Sequence, residues 1–370
     1  MLDVVVKNTE RFLLSVPKTK RKKYGQFFTN MSTAKFMTSL FCFDRSKPCL
    51  EILDAGAGTG ILATAVIQKL IDDGYKGRIH VTCYETDDFV MPVLEENMRL
   101  STVLPNVTCS IKTDNYITSQ NFSNYTLFGG EDFHYDYIIG NPPFLKTSKD
   151  AIEALAMPEV CYGAPNLYFL FWAMGIHNLK EGQELVYIIP RSWTSGAYFK
   201  RFREYLFREC VLTDIHLFEK RDKVFDGESV LQETMIVKVK KTRVVPSVIN
   251  ITTSSTSDFK DISSFSAPYE TVVTKNHCVC VVTNSDDVNV LHTINHFSKT
   301  LPEINLKMQT GIIVDFRTRE VLRNELEEGA YPLLYAQHIR EGKIVWPLGK
   351  EGEVIKTERK SYLQENGNFL

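Results

Sequence analysis

The sequence predicts an α/β fold built on a mostly parallel sheet with helices on both faces, followed by a smaller β-rich region. Between residues 50 and 240, short apolar runs rich in β-branched and aromatic residues alternate with stretches of helical periodicity. At 370 residues, 44% hydrophobic and 24% charged, the chain is long enough for one large domain and part of a second. We therefore expect a doubly wound domain of seven strands.

Seven runs have the length and composition of strands that are buried in such a sheet. They are residues 50–54, 79–84, 107–112, 135–139, 184–189, 211–217 and 234–240. Four segments between them carry apolar residues at helical spacing, namely 61–73, 92–100, 167–179 and 198–208. These helices should cover the two faces of the sheet, and the whole domain should extend over residues 24–245.

The segments on either side of this domain have a different composition. Residues 1–23 form a basic N-terminal arm, because five cations lie within positions 18–23, and such a run is either a solvated arm or a phosphate contact. Residues 246–300 combine a Thr/Ser tract with β-like runs near Val272 and at 279–282, and we interpret them as a linker with a β extension. Residues 301–370 contain turns and short β-like runs at 310–316, 332–335 and 343–346. They are too few for a large core, so we expect them to begin a truncated second domain.

Charge and cysteine usage exclude several classes of protein. A net charge of −2 argues against a uniformly basic nucleic-acid coat, although it allows a local basic surface. No apolar run approaches the roughly 20 residues that cross a bilayer, so we expect no membrane association. The eight cysteines lack the spacing of a zinc site or disulfide framework, and we interpret the close pair Cys278 and Cys280 as part of a strand. We therefore expect reduced thiols, no metal and a cytoplasmic location.

A glycine-rich loop follows the first predicted strand. Residues 54–60 read DAGAGTG, and Gly56, Gly58 and Gly60 allow the backbone to turn sharply and approach a ligand. The spacing differs from the G-x-G-x-x-G of dinucleotide-binding folds, and the loop lacks the lysine of a phosphate loop. Asp54 suits a cationic ligand better than a pyrophosphate. S-adenosylmethionine, which carries a sulfonium and an ammonium, is such a ligand.

Further polar residues lie where the second and third predicted strands end. Glu85 follows the second strand, where its carboxylate can accept from both hydroxyls of a ribose. Asp114 follows the third strand, with Asn115 beside it, and can accept from an adenine amine. Because the carboxyl ends of parallel strands meet at one edge of a sheet, we expect these residues and the glycine loop to form one cofactor site.

A rigid turn of sequence NPPF follows the fourth predicted strand. Two successive prolines fix the backbone and donate no hydrogen bond, so the carbonyls of the turn remain able to accept. The Asn141 side-chain oxygen and the Pro142 carbonyl make a pair of acceptors for an amine, and Pro143 leads to the flat apolar face of Phe144. The turn therefore predicts methylation of an exocyclic amine on a heterocycle. Methylation of cytosine C5 would instead need a cysteine nucleophile here.

In their order along the chain, these motifs resemble the gamma-class N6-adenine DNA methyltransferases of restriction-modification systems. The resemblance covers about residues 20–240, and it rests on YGQFFT at 24–29, DAGAGTG, Glu85, the Asp114-Asn115 pair, NPPF, and VFDGESVLQETMIV at 224–237. It implies an S-adenosylmethionine-dependent methyltransferase fold and contacts of Phe28 and Thr29 with the methionine moiety of the cofactor. It also implies stacking of a flipped adenine on Phe225. Residues 311–316 and 331–339 are similar to the opening of the family's DNA target-recognition region, which we place at 301–370.

The function that the sequence predicts is site-specific methylation of adenine N6 in double-stranded DNA. Because we expect the recognition region to be incomplete, we predict that residues 1–370 bind S-adenosylmethionine yet methylate DNA poorly. An RNA or protein-glutamine amine methyltransferase is a rival, although those proteins tend to place a recognition domain before the catalytic fold. A modification subunit that depends on a restriction or specificity subunit is a second rival.

Overall fold

The computed structural model describes residues 1–15, 28–122, 134–163, 165–219, 233–307, 319–323, 328–346 and 362–364. The chain divides into two compact units, residues 1–296 and 297–370.

The first unit is built on a nine-stranded sheet. Its strands are β1 (Cys49–Ala55), β2 (Arg78–Tyr84), β3 (Val107–Lys112), β4 (Tyr135–Gly140), β5 (Leu179–Pro190), β6 (Val211–Phe218), β7 (Thr234–Lys240), β8 (Val248–Ser254) and β9 (Ser263–Pro268). The spatial order is β3-β2-β1-β4-β5-β7-β6-β8-β9. Strand β7 runs antiparallel to β5 and β6, and β9 runs antiparallel to β8, whereas the remaining neighbours are parallel. The chain thus winds outward from β1 in one direction and from β4 in the other.

Helices cover both faces of this sheet. In the described part of the first unit they are α1 (Leu2–Ser15), α2 (Met31–Ser39), α3 (Ile61–Asp72), α4 (Met91–Ser101), α5 (Ile152–Ala156), α6 (Leu167–Asn178), α7 (Lys200–Glu209), α8 (Tyr269–Val272) and α9 (Ser285–Asn295). Residues of α1 to α4 share one hydrophobic core, and residues of α6 and α7 share the other. Helix α6 is apolar almost all round, as a helix buried over the centre of a sheet must be.

The seven predicted strands are all present, which confirms the doubly wound fold, although the sheet continues through two further strands, β8 and β9. Strand β8 forms where the sequence suggested a linker, because its Thr/Ser tract finds buried partners. The ring nitrogens of His216 lie 2.8 Å from Thr252 Oγ1 and 3.0 Å from Ser254 Oγ. Burial lowers the pKa of His216 to about 3, so the ring is neutral, with one donor and one acceptor for the two hydroxyls. The polar tract is therefore part of the sheet.

Three further segments differ from the sequence interpretation. Residues 2–15 of the basic arm form helix α1, whose Leu2, Val5 and Thr9 are buried. Val272, which was predicted to lie in a β-like run, instead ends the short helix α8. Pro268 ends strand β9 directly before this helix, and the Val273 amide donates to the Tyr269 carbonyl. Val279, between the two cysteines, forms only an isolated bridge with Val273.

The second unit contains short antiparallel pairings. Strands β10 (Leu322–Arg323), β14 (Tyr362–Gln364) and β11 (Ala330–Pro332) form one sheet, and β12 (Ile339–Arg340) pairs with β13 (Lys343–Ile344). The predicted run at 332–335 is strand only at Pro332, and the predicted run at 310–316 lies outside the described residues. Among the described residues, every helix is too short or too polar to span a membrane.

Candidate active site

A cavity of about 470 Å³ opens at the carboxyl ends of β1 to β4, where the winding direction of the sheet reverses. Open α/β sheets bind ligands at this position, since the connections on either side diverge there and leave a crevice. Candidate residues from five separate segments line it, namely Phe28, Thr29, Gly56, Gly58, Glu85, Asp114, Asn115, Asn141 and Pro143. The structure therefore brings most of the sequence-predicted site into one cavity.

The glycine loop after β1 is held against the end of β2. The amides of Gly56 and Ala57 both donate to the Tyr84 carbonyl at 2.9 Å. Gly60 begins helix α3 with a φ of 81°, and a Cβ at this position would lie 2.7 Å from Met98 Cε. A side chain at residue 60 would therefore meet both a strained backbone and helix α4, which explains the glycine. Gly60 itself supports the loop and does not line the cavity.

Glu85 directly follows β2, as predicted, and its carboxylate joins the glycine loop to the turn after β2. Its Oε2 accepts from the Gly58 amide at 2.9 Å, and its Oε1 accepts from the Thr86 and Asp87 amides at 2.8 Å. Burial raises the pKa of this carboxyl, and the three amides act in the opposite direction. A carboxylate has about four acceptor positions. The three amides occupy three of these positions, so about one acceptor position of Glu85 is left for a ligand.

Asp54 lies beneath the glycine loop and does not line the cavity. Its side chain is fully buried, and Oδ2 accepts from the Ala63 amide in the first turn of α3 at 3.0 Å. Oδ1 has no hydrogen-bond partner among the described residues. Burial raises the pKa of Asp54 to about 7, which the Ala63 amide opposes and the nearby Glu85 carboxylate reinforces. The residue thus acts on the loop from below.

Asp114 and Asn115 follow β3 and lie in the cavity wall. The Asn115 side chain accepts from the Ile117 amide at 3.0 Å and donates to Glu153 Oε1 at 2.9 Å. It therefore fixes its own turn and draws Glu153, from the short helix α5, into the wall. Glu153 was not predicted from the sequence, because a five-residue helix carries no readable periodicity.

Asn141 meets the N-terminal segment inside the cavity. Its Nδ2 donates to the Oγ1 of Thr29, which is 7% exposed, at 3.2 Å. This contact sets the plane of the amide. The ring of Phe28 packs 3.5 Å from the position that a Cβ of Gly58 would occupy. Phe28 thereby joins the N-terminal segment to the glycine loop.

The rest of the NPPF turn divides between wall and core. Pro143 lines the cavity, whereas Pro142 is buried and Phe144 is half-buried outside the lining. The Phe144 ring packs edge to face on Tyr168, with ring centroids 6.4 Å apart. The Tyr168 hydroxyl lies 3.1 Å from Ser192 Oγ. Phe144 is therefore oriented by the core rather than by the cavity. Phe225, the remaining candidate, lies outside the described residues.

Apolar residues that the sequence analysis did not select complete the wall. Leu167 and Phe171 come from α6, Leu145 follows the NPPF turn, and Phe89 follows β2. Phe171 lies 3.6 Å from the position of a Gly56 Cβ. The sequence feature that could have indicated Leu167 and Phe171 is that α6 is apolar almost all round.

The charge of the lining restricts the ligand. Glu85, Asp87, Asp88, Asp114 and Glu153 are all in the wall, and the described lining contains no lysine, arginine or histidine. Such a wall repels a polyphosphate and favours a cation, while the aromatic side chains offer faces for a flat ring. Within the described part of the chain, no three His, Cys, Asp or Glu side chains are grouped to hold a metal ion.

Known proteins are similar to this chain in sequence and in fold. A family model described as Eco57I restriction-modification methylase matches residues 49–225. The chain is 30% identical to the type II methyltransferase M.BsuBI of Bacillus subtilis, with 99% of this chain and 74% of that protein covered. It is 32% identical to the type II methyltransferase M.PstI of Providencia stuartii, with 91% and 67% covered.

A solved structure supports the fold assignment. The methyltransferase subunit of a type I restriction-modification system from Streptococcus thermophilus matches with a TM-score of 0.50 at 18% identity, over 73% of this chain and 53% of that one. At this identity the likeness concerns the fold alone.

Proposed function

The chain belongs to the type II restriction-modification methyltransferases, and we propose that it transfers the methyl group of S-adenosylmethionine to the N6 amine of adenine at a specific site in double-stranded DNA. The observation that carries the proposal is the position of Asn141, at the edge of an acid-lined cavity and directly before two prolines.

The cavity fits the proposed cofactor in size and charge. Its volume of about 470 Å³ lies within the roughly 300–1,000 Å³ of small-molecule sites. We assign the cationic end to the region of the glycine loop above Asp54, the ribose to Glu85, and the adenine to Asp114 and Asn115. When bound, S-adenosylmethionine supplies a methyl group activated by its sulfonium.

Asn141 and Pro142 would prepare the target amine. The N6 lone pair of adenine is delocalised into the ring, so the amine is a poor nucleophile. Hydrogen bonds from N6 to the Asn141 oxygen and the Pro142 carbonyl favour a more tetrahedral nitrogen and localise the pair. Thr29, which accepts from Asn141 Nδ2, holds the amide in place. Positioning for in-line transfer supplies most of the remaining rate enhancement, and no strong base is needed beforehand.

The target base must leave the duplex to reach this site, because its amine is paired there. Phe144, whose ring is oriented by Tyr168, and Phe225 are the proposed stacking partners. Stacking on an aromatic side chain contributes about 1–3 kcal/mol per base and would offset part of the cost of unpairing. We also propose a cytoplasmic location, in which the eight cysteines would remain reduced.

Two variants test the role of the turn. We expect Asn141→Ala and Phe144→Ala each to abolish methyl transfer to DNA, because one removes an acceptor and the other a stacking face. Calorimetry should show that both still bind S-adenosylmethionine. Asn250→Ala, an exposed asparagine on β8, is the matched control and should retain activity. Unchanged methylation in both test variants would refute the assignment.

The nature of the substrate needs a separate experiment. The protein is expressed in cells that carry plasmid DNA, and modified bases are located by direct sequencing. We expect N6-methyladenine at one recurring short sequence. Radiolabel from the cofactor in RNA or in protein, without modified adenine, would favour the rival amine methyltransferase. Activity that appears only after a restriction or specificity subunit is added would identify a partner-dependent subunit.

A further inference from the structure

Helix α1 lies outside the residues that the family model matches, yet it reaches the glycine loop. Its Thr9 is 2% exposed, and the hydroxyls of Thr9 and Thr59 are hydrogen bonded at 2.8 Å. Thr59 lies between Gly58 and Gly60 and lines the cavity. A buried contact therefore joins the N-terminal helix to the proposed cofactor loop.

A second contact fixes the same residue through its backbone. Asn97 of α4 is fully buried, and its Nδ2 donates to the Thr59 carbonyl at 2.8 Å. Its Oδ1 accepts from Asn8 of helix α1 at 3.0 Å. The hydroxyl and the carbonyl of Thr59 are thus held by side chains from outside the loop, the first by Thr9 of α1 directly and the second by Asn97, which Asn8 of α1 contacts.

A third contact extends from α1 to the N-terminal segment of the cavity wall. Phe12 packs edge to face on Phe28, with ring centroids 6.1 Å apart. Phe28 lines the cavity and directly precedes Thr29, which holds Asn141. One helix therefore touches the glycine loop and the segment that orients the proposed catalytic asparagine.

We propose that helix α1 is a positioning element of the cofactor site and that Thr9, with Asn97, is a positioning residue that acts through Thr59. The inference rests on the proposed function. A loop with three glycines of positive φ is flexible, and ordering it on binding costs conformational entropy. Contacts that order the loop before the cofactor binds reduce this cost and so lower the Kd for the cofactor. Neither Thr9 nor Asn97 lines the cavity, so the rate of transfer should not depend on them.

The test compares two substitutions of Thr9. Thr9→Val keeps the volume and removes the hydroxyl, whereas Thr9→Ser keeps the hydroxyl. Calorimetry gives the Kd for S-adenosylmethionine, and kcat is measured at saturating cofactor. Loss of one buried hydrogen bond of about 1 kcal/mol should raise Kd about fivefold in Thr9→Val and leave kcat within about twofold. Thr9→Ser should restore the wild-type Kd.

Thr38→Val is the matched control for stability. Thr38 is also 2% exposed on a helix, and its hydroxyl donates to the Lys35 carbonyl, which is not part of the cavity lining. We expect a similar loss of Tm with an unchanged Kd. A wild-type Kd in Thr9→Val, or an equal rise in Thr38→Val, would overturn the proposal.

Two further measurements keep the test decisive. If Thr9→Val does not fold, Asn8→Ala removes only the donor to Asn97, and it should raise Kd about twofold to threefold. An unchanged Kd in Asn8→Ala would then overturn the proposal. The Kd ratios do not require DNA. Should the wild-type protein bind the cofactor and methylate RNA or protein instead of DNA, the proposed function fails, while the Kd ratios still decide the role of α1.

Discussion

The two ends of the large sheet both bury carboxylates, but they treat the negative charge differently. At the amino ends of the parallel strands, Asp136, Glu184 and Asp214 all lie close to lysines. At the carboxyl ends, Glu85 is bound only by backbone amides, and the described residues place no lysine or arginine within 4.0 Å of it. One end is neutralised within the protein, whereas the other retains its charge for a ligand.

The Asp136 pair shows how complete the compensation is at the amino end. Lys47 Nζ lies 2.7 Å from one carboxylate oxygen, and Lys180 Nζ lies 3.2 Å from the other. Burial acts to raise the pKa of Asp136, but the Glu51 amide and the two lysines outweigh it and hold the pKa below its usual value. The carboxylate remains ionised and belongs to the framework of the fold.

Lys238 performs the same task farther along the sheet. Its Nζ lies 2.8 Å from Asp214, 3.9 Å from Glu184 and 2.8 Å from the Leu40 carbonyl. Burial acts to lower the pKa of Lys238, but attraction to Asp214 and Glu184 outweighs it and raises the pKa. The comparison teaches that this protein neutralises buried acids where it can. Acids without a cation are therefore candidates for function.

The largest expected effect concerns the amino end. Lys238→Met should lower the free energy of unfolding by about 3–5 kcal/mol, because the buried Glu184 and the partly buried Asp214 lose their cation. Urea denaturation measures the loss. Lys180→Met is the control, since Asp136 keeps Lys47, and its cost should be about 1 kcal/mol or less. Equal losses in the two variants would contradict the view that Lys238 alone compensates its acids.

An intermediate effect concerns Asp54 at the carboxyl end. Its pKa is about 7 in the fold, against 3.8 for an unperturbed aspartate, so the folded state binds more protons between these values. Stability should therefore fall as pH rises from about 4 to 7, by an amount on the order of a few kcal/mol. Asp54→Asn cannot ionise and should lose this part of the pH dependence. The measurement is urea denaturation of both proteins at pH 5 and pH 8, and parallel changes would show that Asp54 is not responsible.

The smallest expected effect concerns Asp114, an exposed acid of the cavity wall. Asp114→Asn should change the free energy of unfolding by less than about 0.5 kcal/mol, because its side chain is exposed and forms no ion pair within the described part of the chain. It should raise the Kd for S-adenosylmethionine about threefold, since an exposed charge contributes modestly. Asp286→Asn, on α9, is the exposed control with no expected change in Kd. An unaltered Kd in Asp114→Asn would remove this residue from the cofactor site.

The sequence was a good guide where the pattern is local. Alternating apolar runs located β1 to β7, and the glycines and polar residues at strand ends located Glu85, Asp114, Asn115 and Asn141. It was a poor guide where a partner distant in the chain decides. The charge of residues 18–23 predicted a basic arm over residues 1–23, although α1 within this range has buried residues. The Thr/Ser tract could not be assigned to strand β8 from the sequence, because its buried partner, His216, is distant in the chain.

The sequence by itself determined which chemical groups stand at the strand ends, because a parallel sheet brings successive carboxyl ends to one edge. Only the tertiary structure decided how each group is used. It placed Asp54 below the loop and turned Phe144 toward Tyr168. It also joined Thr9 to Thr59 across 50 residues of chain. Such contacts depend on how helices pack against the sheet, and no periodicity in the chain records that packing.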